Sequence, residues 1–289
     1  MNLTPDDRRN IAKLLAADLE QHTAEKYDDG FRKHLGASQI GDACSRKLWY
    51  GFNWVSKATY KSSDGLDHKG RMLRLFNRGH LEEIRFVEWL RGMGHTVVDT
   101  VDGKQIRISD IHGHFGGSCD GTIEFGGQYA SLPKMLLEFK TSGDKAFVKL
   151  VADGVKRSKP LHYSQMSTYG KYLNLRYALY MCVNKNTDEI HIEIVELDWN
   201  LAEQLTAKAQ QIISATEPPP RLNENSAYFE CKYCEFAPVC HGQAAYEINC
   251  RSCRHSMPDG DKRWYCHQYK QQIPDEFIGQ GCPAHEEKR

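Results

Sequence analysis

The stretch Lys134-Met135-Leu136-Leu137-Glu138-Phe139-Lys140 decides how the rest of the chain is read. It is short, bulky and apolar enough to predict a strand, whose side chains alternate between two faces. Met135, Leu137 and Phe139 share one face and are expected in the core. Glu138 and Lys140 share the other with Leu136, so a carboxylate and an ammonium project side by side. Asp120, in Ser118-Cys119-Asp120-Gly121-Thr122-Ile123, lies on a preceding segment that can pair with this strand as a hairpin. Gly121 permits close backbone approach there. Oxygen donors from Asp120, Glu138 and the Phe139 carbonyl suit a hard cation. Such an ion would acidify a water and offset phosphate charge. Lys140 could then orient the water or stabilise charge in the transition state. The competing reading is a surface ion pair on an edge strand, since D…E-x-K alone is a common pattern.

Working outward, residues 4–26 predict a helix capped by Thr4, with Pro5 in its first turn and Ile11, Leu14, Leu15 and Leu19 as an apolar stripe. A short helix is expected around Cys44, in ACSRKLWYGF. Residues 57–70 read as a loop. Residues 71–91 predict a long helix with Leu73, Phe76, Ile84, Val87 and Leu90 as its apolar set, ended by Gly92 and Gly94. Strands are expected at 95–101, 104–109, 118–125 and 134–141, and a helix at 161–174. A hairpin follows, 176–183 with 189–197, turning through Asn184–Asp188. A last helix, 199–215, stops before Pro218-Pro219-Pro220. This order predicts a mixed α/β domain, a central sheet flanked by helices.

The chain has 289 residues, 38 basic and 38 acidic, so bulk charge does not advertise nucleic acid. Acidic metal ligands would offset a local basic groove in that total. There is no apolar run of membrane-spanning length and MNLTPDDRRN is not a signal peptide. The ten cysteines are therefore read in a reducing cytoplasm, where clustered thiols bind metal more often than they form disulfides.

Two features flank the carboxylates. Upstream, His80 and Glu83, in Gly79-His80-Leu81-Glu82-Glu83, share a helix face. Downstream, His162, Gln165, Tyr169 and Tyr172 recur at spacings of three and four, a polar-aromatic stripe suited to a DNA backbone or to support behind the site. The alternative for each is a satisfied buried polar network. The set Gly79…Glu83, Asp120-Gly121, Glu138-x-Lys140 and Gln165…Tyr169 resembles the RecB-like branch of the PD-(D/E)xK nuclease superfamily, in the family's order, across residues 70–175. The resemblance implies a restriction-endonuclease-like core. It also implies Mg²⁺ or Mn²⁺ held by Glu83, Asp120 and Glu138, with His80 as a further candidate, and a catalytic Lys140. Gln165 and Tyr169 are then associated with handling DNA ends. Ser-Cys-Asp stands here where the superfamily's name has Pro-Asp.

Cys231, Cys234 and Cys240 form C-x2-C-x5-C, which with a fourth ligand such as His241 could bind zinc. Cys44 alone would be a core thiol, yet Asp42, Ser45, Arg46 and Lys47 surround it. Cys44 before the nuclease motifs and the triplet after them resemble the four-cysteine staple of CRISPR-associated iron–sulfur exonucleases and AddB-type nucleases. That resemblance implies a structural [4Fe–4S] cluster on Cys44, Cys231, Cys234 and Cys240. Beyond residue 248 the chain becomes Cys/His-rich. Residues 249–289 therefore read as a small module, beside a nuclease domain over 1–248. Cys250, Cys253, Cys266 and Cys282 suit a structural zinc, with His255, His267 and His285 competing and a second cluster as the alternative. Arg251, Arg254, Lys262, Arg263, Trp264 and Tyr265 could touch DNA or a partner; a solvated surface is the default. Cys119 and Cys182 read as core thiols.

The expected function is metal-dependent exonuclease cleavage of DNA at ends or single strands. Recombination, repair, phage replication and CRISPR spacer acquisition all fit, with a helicase, recombinase or CRISPR-adaptation protein as partner. No P-loop is present, so unwinding must come from such a partner. The rival from another class is a non-catalytic iron–sulfur DNA-binding or assembly protein on the same fold. A redox protein has little support, since no flavin or nucleotide motif appears.

Overall fold

The computed structural model describes residues 3–28, 30–56, 69–242 and 244–289. In chain order its elements are α1 (Pro5–Lys26), β1 (Leu35–Gly36), α2 (Ser45–Phe52), α3 (Lys69–Gly92), β2 (Thr96–Val98), β3 (Thr100–Val101), β4 (Lys104–Gln105), β5 (Arg107–Asp110), β6 (Phe115–Ser118), β7 (Gly121–Glu124), β8 (Met135–Ser142), α4 (Asp144–Ser158), α5 (Pro160–Tyr172), β9 (Tyr177–Asn184), β10 (Ile190–Glu196), α6 (Trp199–Ser214), α7 (Phe229–Lys232), α8 (Ala237–Cys240), β11 (Ser256–Pro258), β12 (Trp264–Cys266), β13 (Gln271–Ile273) and α9 (Asp275–Ile278). The fold is mixed α/β. The loop expected at 57–70 lies outside the described residues up to 68, and Lys69 and Gly70 already belong to α3.

The main sheet has the order β10-β9-β8-β7-β2. β8 runs parallel to β9 and antiparallel to β7. It is thus the central strand, which overturns the edge-strand reading. Parallel neighbours need a crossover, supplied here by α4 and α5. Both faces of β8 are buried. Met135, Leu137 and Phe139 pack with Phe86, Val87 and Leu90 of α3, the Phe86 and Phe139 rings 5.2 Å apart. Leu136 belongs to a larger core with Ala178, Tyr180, Met166 and Tyr169, extended by α2 and α6. Each large side chain so buried contributes about 1.5–3 kcal/mol. A second sheet, β1-β6-β5, leads through β6 to the turn that carries Asp120.

Several expectations are corrected. α1 forms as predicted, with Thr4 and Asp7 in a reciprocal capping box. Its apolar stripe faces outward, however: Leu14 is 66 % and Leu15 62 % exposed. α1 instead meets α3 through polar contacts, Arg74 pairing with Glu20 at 2.9 Å and bonding Thr23 at 2.7 Å. On α3, Val87 and Leu90 are buried as expected, but Phe76 and Ile84 are exposed and Phe86 takes the core position. The sheet reaches only the last turns of α3, so the buried face is a short one. α4 was not expected. Gly154, at φ +71°, breaks the helical pattern within it, which obscures the spacing of Phe147, Leu150 and Val155. β1 and β6 also escaped, being short and glycine-containing.

The last forty residues are not a free-standing surface. Trp264, Ile273 and Ile278 join the main core. Arg251, 1 % exposed, lies 4.5 Å from each of the Phe52, Trp54 and Trp264 rings and donates to the Lys33 carbonyl at 3.1 Å. A desolvated cation–π contact is worth about 2 kcal/mol. Lys288 is buried too, donating to Asn53 at 2.9 Å. Arg251 and Trp264, assigned by default to a solvated face, thus fasten the C-terminal segment to α2. A basic residue among aromatics can pack inward as readily as face solvent. Cys119 and Cys182 are core thiols.

Candidate active site and metal centres

Glu138 is fully buried, although it stands on the polar face of β8. Across the parallel register its neighbour is Tyr180, and that of Lys140 is Cys182. The Lys140 ammonium pairs with Glu138 Oε1. Its sister Oε2 accepts from Gln165 Nε2 at 3.2 Å, so α5 holds the carboxylate from above. Asp120 Oδ2 accepts from the Phe139 amide at 2.6 Å, which fastens it beside Glu138. The amide of Phe139, rather than its carbonyl, is the contact this structure gives that residue at the site.

Glu83 approaches from α3. Its charge is felt by Asp120, Glu138 and Lys140, and its Oε2 lies 3.4 Å from Nδ1 of the exposed His80. The adjacent Glu82 turns away and pairs with Arg85 at 2.9 Å. The four-residue step from Gly79 selects Glu83 over Glu82, and it is the Glu83 charge that acts on the cluster.

Burial dominates the electrostatics. It pushes Asp120 up to about 6 and Glu138 up to about 7, with Lys140 opposing both shifts and Glu83 adding to them. Lys140 is held above its ordinary value, the neighbouring carboxylates outweighing its burial. Burial, the first cause of both shifts, disfavours the charged carboxylates. A second cation would relieve them, and Glu138 Oε1, which faces Lys140, is a donor atom already desolvated. Asp120, Glu138 and Glu83 are the oxygen donors that could hold a hard divalent ion, and among the described residues no three His, Cys, Asp or Glu side chains are already gathered as a metal site.

The polar-aromatic stripe of α5 points into the sheet. Gln165 and Tyr169 are buried, Tyr169 with its hydroxyl against Gly117. Tyr172 bonds Asp110. His162 Nδ1 lies 3.0 Å from the Tyr180 hydroxyl, and burial together with nearby Lys140 holds the ring neutral, near pKa 3. The stripe thus stands behind the carboxylates and is not an open DNA-facing surface. Tyr180 escaped sequence reading; its signal was only the register of β9 against β8.

The cysteines gather as two sets. Cys44, Cys231, Cys234 and Cys240 all line one cavity of about 220 Å³, together with His241, whose buried Nε2 has no hydrogen-bond partner among the described residues. Cys44 also caps α2, its sulfur accepting from the Lys47 amide at 3.4 Å. Cys250, Cys253, Cys266 and Cys282 line a second cavity of about 240 Å³ with His255 and His285. His267 is not on that wall. Burial raises the Cys231 and Cys234 thiols and lifts Cys250 to about 11. Among the described residues no three such side chains already converge on one point. The sulfur-rich donor sets fit soft-ligand metals, and the similar volumes do not separate a cluster from a single ion.

No helix among the described residues is long and apolar enough to cross a membrane. No protein-family model matches the chain, and no curated protein matches it in sequence. Among solved structures it is similar to the SSO0001 protein, at 13 % identity and TM-score 0.47 over 80 % of this chain and 98 % of that one. It is also similar to an alkaline exonuclease (LHK-Exo) from Laribacter hongkongensis, at 14 % identity and TM-score 0.41 over 65 % of this chain and 90 % of that one. The same exonuclease in complex with dAMP gives 14 % identity and TM-score 0.37. None of these similarities bears on residue roles in this chain.

Proposed function

We propose that the protein is a divalent-metal-dependent deoxyribonuclease that trims DNA as an exonuclease at ends or single strands. One observation carries the reading. The buried Glu138 and the half-buried Asp120 stand together with Glu83 around a single ammonium, that of Lys140. An ion pair serving the fold alone would set one carboxylate against the ammonium, and here the charges of Glu138, Asp120 and Glu83 all act on it. Asp120, Glu138 and Glu83 would hold Mg²⁺ or Mn²⁺, which supplies Lewis-acid activation of water and neutralises phosphate charge.

The chain's own residues do the positioning. Gln165 fixes one Glu138 oxygen and leaves the other to Lys140. The Phe139 amide fixes one Asp120 oxygen. Lys140 keeps its proton, so its ammonium stabilises charge that builds on the phosphoryl oxygens during attack. His162, held neutral, adds no competing charge next to Lys140. Cys44, Cys231, Cys234 and Cys240 would hold a [4Fe–4S] cluster as a staple between α2 and the α7–α8 segment. Cys250, Cys253, Cys266 and Cys282 would hold a structural zinc.

The test is cleavage of end-labelled single- and double-stranded DNA with and without Mn²⁺. Manganese-dependent release of nucleotides that Glu138→Gln abolishes is expected. DNA binding without cleavage would favour the assembly-protein alternative.

A further inference from the structure

A cluster of cations lies beside this site, and the nuclease reading does not use it. Arg32, Arg107 and Lys262 are exposed and, among the described residues, none is in ion-pair contact with a carboxylate. They come from three distant parts of the chain and meet around His34. Arg107 Nη2 lies 3.2 Å from His34 Nδ1. Arg32 reaches back over Gly36 and donates to Ser38 Oγ at 3.3 Å. Lys262 lays its aliphatic stem across Gly113, and its amide donates to the His112 carbonyl at 2.8 Å. Burial first, then Arg107, Arg32 and Lys262, hold the His34 ring neutral. A neutral imidazole can accept the Arg107 N–H and so orient that guanidinium without adding repulsion.

Like charges gathered without counter-charges are unfavourable in the free protein, and the chain as a whole is neutral. The cluster also has a fixed relation to the carboxylates. Arg107 pairs with Ser118 in the β5–β6 register, and Asp120 is two residues further on, at most about 7 Å of chain. We propose that Arg32, Arg107 and Lys262 bind successive phosphates of the DNA strand on its way to the Asp120–Glu138 site. The C-terminal cysteine segment, through Lys262, then takes part in holding substrate. This inference rests on the nuclease reading. It names backbone phosphates only, so binding is independent of base sequence.

The experiment measures binding of fluorescein-labelled oligothymidylate and oligodeoxyadenylate to Glu138→Gln protein by anisotropy, across a salt series. Each lost phosphate contact lowers the log–log salt slope by about 0.7 for a single strand. The triple variant Arg32→Gln/Arg107→Gln/Lys262→Gln should lose about 2 from the slope, for both oligomers. Over a fourfold rise in salt the parent should then lose roughly 20-fold more affinity than the triple variant. Lys13→Gln, an exposed charge on α1, should leave the slope unchanged. An unchanged slope in the triple variant, while the wild type still cleaves DNA, overturns the phosphate track alone. An equal loss in Lys13→Gln also overturns it, as a bulk-charge effect. A wild type that neither binds nor cleaves DNA overturns the nuclease reading with it.

Discussion

Gln165 Nε2 donates to Glu138 Oε2 across 3.2 Å, joining the crossover helix α5 to the central strand β8. That bond fixes the carboxylate so that Oε1 faces the Lys140 ammonium. Gln165→Leu should therefore reduce DNA cleavage by about 10–100-fold, as losses of ligand-orienting partners do. Gln165→Glu should be worse, because it sets a second carboxylate against Glu138. Single-turnover cleavage at saturating Mn²⁺ measures both.

Removing Lys140 has two consequences. Lys140→Ala should abolish cleavage. It should also destabilise the fold by about 3 kcal/mol, since it leaves Glu138, with no exposed surface, without its counter-charge. Adding Glu138→Gln should restore stability but not activity. Urea unfolding of the single and double variants decides this, and full activity in either would sink the assignment.

Magnesium should stabilise the protein more at pH 8 than at pH 5. The folded-state values of Asp120 and Glu138 are raised, to about 6 and about 7. Their contribution to stability is present below the unfolded values near 4 and is lost as pH rises through about 7. A cation competes with those protons, so it helps most where they have left. Melting temperatures with and without Mg²⁺ across this range should diverge upward in pH for wild type and much less for Glu138→Gln.

The two cysteine sets should be separable by point changes. Cys231→Ser should lower iron and leave zinc, and Cys282→Ser should do the reverse, because each set lines its own cavity. Metal analysis of protein purified without oxygen reads this out. Loss of both metals in either variant would mean that ligands are shared.

Truncation before Cys250 is not a clean test of that separation. It strips Arg251 and Trp264 from Phe52 and Trp54, exposing the core. The truncated chain should aggregate, and Arg251→Ala in the full chain should cost about 3 kcal/mol through lost packing and cation–π contact. Thermal unfolding measures the second effect.

Most of the elements, though not α4, β1 and β6, together with the alternation along β8 and the grouping of Asp120, Glu138 and Lys140, were legible in the residues, because strand period and local spacing are properties of adjacent positions. So were the Cys231-Cys234-Cys240 triplet and the C-terminal cysteine set, whose grouping shows in one dimension, whereas Cys44 was joined to the triplet only by resemblance. Two features were decided only by tertiary structure. Whether Gln165 and Tyr169 look outward or inward depends on α5 lying across β8 and β9. The inward path of Arg251, and the meeting of Arg32, Arg107 and Lys262, depend on where the last forty residues dock. Each of these is a contact between segments far apart in the chain, and a helical or strand period carries the spacing of a face but not what that face will meet.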